Sequence, residues 1–374
     1  MMDFKNKKVA MIATTVSMIS NFMVPHIQWL VQQGAVVDCY SNTDNFDCSN
    51  LDMENVNVYH IPFTRSPFTM SNLKGYKQLK KYFKENKYDL VSCMQPVGGV
   101  MGRMIAKKFK VPCLYTAHGF HFFKGCPLKN KLIYKTIEKH FAKYTDVLVT
   151  INEEDYQSAL KFKAKKVYKI NGIGVDLSTY KINKDLDKVK FKKSLGLEKD
   201  DFIITSIGEL NENKNTYRLL ECIKNIDNPK VKYLICGRGP LQEKYEKYIK
   251  ENNLQDRVKV LGYRKDIPDI LTIADVYIMP SYREGLSKSM MEAMCCGAPI
   301  VCSKIRGNID LVGGDGIGGY MCNPSSTEEF TEAILKVLNN TEEVKDFTKR
   351  NKEFIKNFDI KVVLKQMEEI YKEM

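Results

Sequence analysis

The sequence predicts an α/β fold built from two Rossmann-like domains in tandem. Short runs rich in β-branched residues alternate with longer stretches of helical periodicity, which is typical of parallel sheets covered by helices. The alternation starts afresh near residue 200, after a polar stretch. The length of 374 residues fits two domains of ordinary size.

The elements follow from the chain in order. In the first half, strands are predicted at 9–13, 36–41, 56–60, 90–93, 113–116, 147–151 and 167–170. Helical spacing between them is found at 25–33, 72–86, 129–143 and 153–161. In the second half, strands are predicted at 202–207, 232–236, 258–261, 276–279 and 300–302. Helices there are predicted at 215–223, 241–252, 289–296, 327–338 and 342–357. We place an N-terminal domain at 1–180 and a C-terminal domain at 181–357, and expect 358–374 to form a helix that packs back on the N-terminal domain.

Composition excludes several classes of protein. Hydrophobic residues make up 44% of the chain and charged residues 28%, which excludes wholesale disorder. No apolar run approaches the roughly 18 residues of a membrane-spanning helix. The eleven cysteines are odd in number and form no CxxC pair, as expected of reduced thiols in a cytoplasmic protein.

The positive charge is concentrated in the first half of the chain. Net charge is +13; residues 1–185 carry 27 Lys and Arg against 15 Asp and Glu, and residues 186–374 carry 31 against 30. Such asymmetry indicates an anionic partner for the first half: nucleic acid, an anionic membrane surface or a phosphorylated substrate. A solvated lysine-rich surface is the alternative.

The segment 276–309 carries the clearest chemistry. A buried strand ends at Pro280, a loop follows, and a helix begins near Ser287. The free N–H groups at such a helix start bind anions, phosphate above all, and Gly285 lets the backbone approach a ligand closely. Glu284 and Glu292 flank this position, and carboxylates accept hydrogen bonds from the hydroxyl groups of sugars and ribose. The pair therefore suits a sugar nucleotide, although glutamates that stabilise the helix dipole would have the same spacing.

These residues resemble the E-x7-E motif of the GT4-type retaining glycosyltransferases, which have the GT-B fold. Gly285 follows the first Glu as in the family, and 292–301 matches its EAM-x-x-G-x-P-[IV]-V pattern. The segments 116–125, 137–156 and 206–215 resemble the bacterial capsule and exopolysaccharide subgroup. The resemblance implies two Rossmann-like domains facing across a cleft, with the acceptor bound by the first and a nucleotide sugar by the second.

The resemblance also implies roles for individual residues. Glu292 matches the Glu that holds the ribose hydroxyls, Glu284 the Glu beside the donor hexose, and Lys214 the diphosphate-binding Lys. The sequence departs from the family at Glu209, where many members have Arg; either Glu209 faces the hexose, or Arg283 or Arg238 replaces that cation. The remaining implied donor contacts are Gly285, Leu286, Ser287, Asn213, Gly172, Tyr263 and Arg264.

His118 resembles the N-domain histidine that lies near the donor sugar, so we predict a catalytic role for it. His121 is a candidate for the acceptor. The two histidines have no third or fourth ligand nearby in the sequence, so no metal is predicted. The first loop, 14–21, lacks the Gly-Gly pair of many relatives, and we expect its backbone amides to serve instead.

A basic surface on the first domain suits the acceptor that such relatives extend, a glycan carried on a polyprenyl diphosphate. Residues 74–87 form a basic amphipathic helix that includes Lys80 and Lys81, and Phe122 and Lys124 belong to a second basic-aromatic group. We expect these residues to contact acceptor or membrane, and the protein to be peripheral at the inner face of the cell membrane. Ordinary packing of 74–87 on the sheet is the alternative.

The resemblance implies a retaining, metal-independent transfer of a hexose or N-acetylhexosamine, with UDP as the expected nucleotide and no other cofactor. The leaving phosphate would assist the acceptor hydroxyl on the same face of the sugar. A sugar-nucleotide epimerase of the same fold and a basic nucleic-acid-binding protein are the alternatives. An epimerase would need no acceptor, and a nucleic-acid-binding protein would leave both glutamates unexplained.

Overall fold

The computed structural model describes residues 4–44 and 46–374. The chain divides into two compact units: the first runs to Gly174 and takes in Ile360–Met374, and the second is Val175–Asp359. The sequence placed these divisions at 180 and 357.

The first unit contains a sheet of seven strands that are all parallel, in the order β3-β2-β1-β4-β5-β6-β7. The strands are β1 Lys8–Thr15, β2 Val36–Asn42, β3 Val56–His60, β4 Leu90–Met94, β5 Cys113–Ala117, β6 Val147–Thr150 and β7 Lys166–Lys169. Strands β4, β5 and β6 are buried along their whole length, as expected of a parallel sheet covered on both faces. All seven predicted strands are confirmed.

Helices connect these strands. They are α1 Val16–Met18, α2 Val24–Gln32, α3 Met70–Glu85, α4 Pro96–Phe109, α5 Leu128–Phe141, α6 Glu153–Ala159 and, from the end of the chain, α15 Ile360–Lys372. Helix α15 packs on α2, where the Tyr371 ring stacks on Trp29 at 5.7 Å and meets the edge of Phe4. Helix α4 was not among the predicted helices.

The second unit contains six parallel strands in the order β10-β9-β8-β11-β12-β13. The strands are β8 Phe202–Ile207, β9 Val231–Cys236, β10 Val258–Gly262, β11 Val276–Met279, β12 Ile300–Ser303 and β13 Tyr320–Cys322. The helices are α7 Lys188–Ser194, α8 Thr216–Asn225, α9 Gln242–Glu251, α10 Ile267–Ile273, α11 Lys288–Cys295, α12 Asn308–Val312, α13 Thr327–Asn339 and α14 Thr341–Phe354. Both units are therefore Rossmann-like, as predicted.

Strand order locates the functional edge of each sheet. In the first sheet the order reverses between β1 and β4, and in the second between β8 and β11. Ligands of such sheets bind beyond the carboxyl ends of the strands at this reversal, because the connections there leave in opposite directions and open a crevice. The loops that follow these four strands are therefore the first places to look for a site.

Candidate functional site

Two loops meet at the strand reversal of the second sheet. The loop after β8 and the loop after β11 are joined by hydrogen bonds: the Tyr282 N–H donates to the Asn213 carbonyl at 2.9 Å, and the Asn213 amide donates to the Arg283 carbonyl at 2.9 Å. Asn215, in the left-handed region with φ 53°, donates its side-chain amide to the Pro280 carbonyl. Asn213 was expected to contact the donor directly, but its amide group joins the two loops.

Lys214 and Glu284 form an ion pair at this junction. The Lys214 Nζ lies 2.8 Å from the Glu284 Oε1, although the residues are 70 positions apart in sequence. The backbone of Lys214 is fixed because its N–H donates to the Asn211 side chain at 3.0 Å. Its aliphatic stem crosses Gly208, where an added Cβ would lie 3.2 Å from the lysine Cε. The cation and the carboxylate are therefore held together at the carboxyl edge of the sheet.

Helix α11 begins beside this ion pair. Ser287 is its N-cap, and the serine Oγ accepts a hydrogen bond from the Met290 N–H. The other N–H groups of the first turn have no acceptor within the helix and carry its partial positive charge. Gly285 packs against Gly307, where a Cβ would lie 2.2 Å from the Gly285 carbonyl oxygen. This edge can therefore accept an anion next to the Lys214 cation.

Glu292 lies in α11 and is buried. Burial raises the pKa of its carboxyl group, whereas Lys288 and a hydrogen bond from the Tyr180 hydroxyl act in the opposite direction. Lys288 Nζ is 4.0 Å from Glu292 Oε1. The sequence did not identify Tyr180, which lies 112 positions earlier in a segment that we expected only to join the domains.

The resemblance implied a second cation at position 209, where this chain has Glu209. Glu209 is exposed, and its carboxylate accepts a hydrogen bond from the Asn211 amide at 2.9 Å. Arg238 lies in the neighbouring loop, where its carbonyl accepts from the Leu210 N–H, and Arg283 lies in the loop after β11. The structure places both arginines at the same edge of the sheet as Glu209.

The stretch after β10 combines an exposed ring with a fixed arginine. Tyr263 is 67% exposed. The guanidinium of Arg264 is bound to the Asp266 carboxylate through two nitrogens, with Nε at 2.8 Å. The side chain of Arg264 is therefore bound to Asp266, and a contact between Arg264 and the donor, which we predicted, would have to come from its backbone.

In the first unit, His118 follows β5 and has a second histidine, His26 of α2, near it. The Nε2 atoms of both rings are buried and have no hydrogen-bond partner within residues 4–44 and 46–374. Burial lowers the pKa of His26 to about 4, against a smaller opposite effect of its hydrogen bond to the Ile173 backbone. Burial and the nearby His26 lower the pKa of His118 to about 3. Gly172, a predicted donor contact, is buried next to Ile173 with φ 73°.

Both histidines should make the protein less stable in acid. Their folded-state pKa values lie below the ordinary 6.5, so the unfolded chain binds more protons and stability falls as pH decreases from about 6.5 to 4. Denaturant titrations at pH 7 and pH 5 should show a loss of about 2 kcal/mol from each imidazole. The loss should be smaller by about that amount in His118→Asn, but not in the surface control His140→Asn. An equal loss in wild type and His118→Asn would show that His118 is not held neutral.

Gln95, which follows β4, binds the carboxyl end of β1. Its backbone has φ 63° and ψ 163°, a region that is nearly exclusive to glycine and costs about 1–3 kcal/mol for other residues. The Gln95 Oε1 accepts hydrogen bonds from the N–H groups of Thr14 and Thr15, at 2.8 and 3.1 Å. These two amides are therefore occupied, contrary to our expectation that amides at the start of the 14–21 loop would serve a ligand. Such strain at a strand reversal indicates a functional position that the sequence did not reveal.

The loop between β5 and α5 is anchored by α6. The Phe120 N–H donates to Asp155 and the Lys124 N–H to Glu154. Phe122 is 5% exposed and stacks on Phe120 at 4.8 Å, so our prediction that it contacts acceptor or membrane is wrong. The His121 ring lies 4.9 Å from that of Tyr134 in α5.

Helix α3 packs on the sheet, as the alternative interpretation of 74–87 held. Its apolar and aromatic side chains enter or border the hydrophobic core: Tyr76, Leu79, Tyr82 and Phe83. Lys80 is half-buried and Lys81 is exposed, 4.0 Å from Glu85. The aromatic residues of α3 are therefore core residues, and its cations alone remain for a partner.

The described residues show neither a metal site of the usual ligands nor a membrane-spanning helix. They contain no group of three or more His, Cys, Asp or Glu side chains arranged to hold a metal ion. Crossing a bilayer takes a helix of about 18–20 apolar residues, and none of the described helices meets that length and polarity.

Comparison with known proteins connects this geometry to a family. Residues 8–152 match the family described as "Glycosyl transferase 4-like", and residues 187–354 match "Glycosyl transferases group 1". EpsD of Bacillus subtilis (strain 168), named as a glycosyltransferase, is 32% identical over 98% of this chain and 96% of its own length. The UDP-Gal:alpha-D-GlcNAc-diphosphoundecaprenol alpha-1,3-galactosyltransferase of Escherichia coli is 35% identical over 72% of this chain and 71% of its own.

The fold agrees with solved structures. Anabaena HepE in complex with UDP-glucose superposes with a TM-score of 0.82 over 98% of this chain and 100% of HepE, at 18% identity. That likeness concerns the fold, and the sequence relatives carry the family assignment. This chain belongs to the GT4-type family of glycosyltransferases, with the two Rossmann-like domains of the GT-B fold.

Proposed function

We propose that this glycosyltransferase retains configuration while it moves a hexose or N-acetylhexosamine from a UDP-sugar to a lipid-diphosphate-linked glycan in surface polysaccharide synthesis. The observation that carries the proposal is the Lys214–Glu284 ion pair, 2.8 Å long, beside the N-terminus of α11. A cation, the N-terminus of a helix and a carboxylate together match a sugar diphosphate: two groups for the phosphates and one for sugar hydroxyls.

In the proposed reaction no side chain forms a covalent bond with the sugar. As the C–O bond between the sugar and the β-phosphate breaks, negative charge develops on the departing phosphate. Lys214 and the α11 amides would stabilise that charge, and Glu284, released from Lys214, would accept hydrogen bonds from the hexose. The departing phosphate would take the proton of the acceptor hydroxyl, which attacks the same face of the sugar. His118, neutral because its pKa is low, would serve as a hydrogen-bonding group rather than as a cation.

The nucleotide and the acceptor in this proposal are inferred from the names of relatives. HepE has been solved with UDP and with UDP-glucose, and the Escherichia coli relative is named for UDP-Gal and a GlcNAc-diphosphoundecaprenol acceptor. HepE supports a UDP-linked donor for this chain, and the Escherichia coli relative supports a UDP-linked donor and a lipid-linked acceptor. Turnover of a UDP-sugar without any acceptor would favour an epimerase instead.

Replacing Glu292 by alanine should weaken UDP binding at least about tenfold, because a charge-assisted hydrogen bond contributes about 1.5–3 kcal/mol. We would measure this by titrating UDP and GDP calorimetrically into wild type and Glu292→Ala without added metal. Glu221→Ala, an exchange of a partly exposed glutamate in α8, is the matched control and should bind UDP as wild type does. Equal affinities in wild type and Glu292→Ala would remove Glu292 from the donor site.

Replacing Tyr180 by phenylalanine should weaken UDP binding and make it more sensitive to acid. The hydroxyl hydrogen bond lowers the pKa of Glu292 against the effect of burial, so its loss should raise that pKa further. The carboxylate would then be protonated, and UDP affinity lost, at a higher pH than in wild type. Calorimetric UDP affinities across the pH range provide the test, with Tyr282→Phe as control. A parallel, unshifted pH profile would show that Tyr180 acts through packing alone.

A further inference from the structure

The outward face of α5 combines exposed leucines with lysines. Leu128 is 83% exposed and Leu132 is 75% exposed. These leucines are four positions apart and therefore share one stripe of the helix. Four exposed lysines surround them: Lys129, Lys131, Lys135 and Lys139. This face presents no carboxylate among its exposed residues.

The inward face of the same helix packs against other residues of the first unit. Glu138 is the sole acidic residue in the sequence of α5, and its carboxylate lies 2.8 Å from the guanidinium of the buried Arg103. Tyr134 packs on the His121 ring. Because these contacts fix the inward face of α5, the opposite face with its leucines and lysines points outward from the first unit. Packing within the first unit does not account for them.

We propose that α5 docks on an anionic lipid bilayer. Leu128 and Leu132 would enter the headgroup region, and the four lysines would lie among the lipid phosphates. The 14 residues of α5 make a contact line of roughly 21 Å parallel to the surface. Charge complementarity favours lipid over a second copy of the chain, since a two-fold interface would bring two sets of like-charged lysines together.

This docking surface rests on the proposed function for its purpose, which is delivery of a lipid-linked acceptor. The loop that carries His118 and His121 leads directly into α5. A bilayer against α5 would therefore present lipid diphosphates next to the loop expected to receive the acceptor. The surface differs from the one we predicted from sequence, because Phe122 is buried and the aromatic residues of α3 lie in the hydrophobic core or pack against it.

Vesicle sedimentation of the full chain tests the proposal. Wild type should bind vesicles that contain phosphatidylglycerol at low salt and should not bind pure phosphatidylcholine. Lys131→Glu/Lys135→Glu should weaken binding more than about tenfold, and Leu128→Ser/Leu132→Ser about tenfold. Lys77→Glu/Lys84→Glu, on the exposed side of α3, is the matched control with the same change in net charge. In Leu132→Trp, tryptophan emission should shift to the blue on binding and be quenched by brominated lipid.

Several results would overturn the proposal. These are no binding of wild type to phosphatidylglycerol vesicles, equal losses in the α3 and α5 variants, and a dimer in solution that the α5 substitutions dissociate. UDP affinity measured in parallel separates this proposal from the proposed function. If UDP fails to bind but vesicle binding depends on α5, the donor assignment fails and the docking surface stands; the reverse result removes the docking surface and leaves the transferase.

Discussion

Replacing Lys214 by alanine should lower kcat for sugar transfer by about 10²–10³-fold, because one preorganised donor to a developing negative charge is worth that much. The loss should appear in kcat more than in the affinity for UDP, since charge on the diphosphate grows as the sugar departs. We would measure UDP release from the UDP-sugar that wild type uses, in the presence of membranes that carry lipid-linked glycans. Lys214→Arg should keep part of the activity because it keeps the charge.

The ion pair allows a sharper control. Lys244→Ala removes an exposed lysine of the same unit, 4.0 Å from Glu212, and should leave kcat unchanged. Glu284→Gln breaks the Lys214 pair without removing the cation. If Lys214 serves only as the structural partner of Glu284, Lys214→Ala and Glu284→Gln should lose the same stability and the same activity. That result would contradict the role of Lys214 at the diphosphate.

The sequence was sufficient for the first sheet, for five of the six strands of the second sheet (β13 was not among the predicted strands) and for the edge at which the site lies. Strand–helix alternation predicts parallel strands, and parallel strands bring their carboxyl ends to one edge. Lys214 and Glu284 could therefore be expected near each other once each was placed after a strand. Their direct contact depends on the fixed conformations of two loops, which Asn211, Asn213 and Asn215 hold through side-chain hydrogen bonds. No local pattern reveals such bonds.

Helix α4 shows where local patterns mislead. Its three glycines, Gly98, Gly99 and Gly102, are poor helix formers and hide its periodicity. The structure shows why they are needed. A Cβ at Gly98 would lie 2.7 Å from the β1 backbone, and one at Gly102 would lie 2.4 Å from the Cys93 Cβ. Close packing of α4 on the sheet therefore outweighs the helix propensity of these residues.

The residues that sequence reasoning missed act from distant parts of the chain. Tyr180 contacts Glu292 from the part of the second unit that precedes α7, His26 lies near His118 from α2, and Gln95 binds the amides of the last two residues of β1. No local sequence pattern marks any of these residues, because their roles depend on contacts that only the folded chain makes. The prediction for Phe122 was wrong for the opposite reason: its basic-aromatic segment suggested a surface position, but the loop directs this ring into the core.

A buried ionic network ties α5 to the sheet. Arg103 is fully buried; it donates to the Glu138 carboxylate at 2.8 Å and lies with its guanidinium 4.0 Å from the centre of the Tyr115 ring. The Tyr115 hydroxyl donates to the other Glu138 oxygen at 2.9 Å. Glu138 thus neutralises one buried charge and accepts a second buried donor. Its removal would leave both groups without compensation, away from water.

Glu138→Ala should therefore lower the free energy of unfolding by about 3–5 kcal/mol, the usual cost of leaving one partner of a buried ion pair alone. Denaturant titration at pH 7 measures it, with Glu153→Ala as the matched control. Glu153 pairs with Lys169 where both side chains are partly exposed, so its loss should cost less than about 1 kcal/mol. Arg103→Met/Glu138→Leu should recover part of the stability, because it removes both charges and keeps the volume but leaves the Tyr115 hydroxyl without its acceptor. A loss for Glu138→Ala as small as that for Glu153→Ala would show that the network does not hold α5 in place, and the fixed orientation of Leu128 and Leu132 would then need another source.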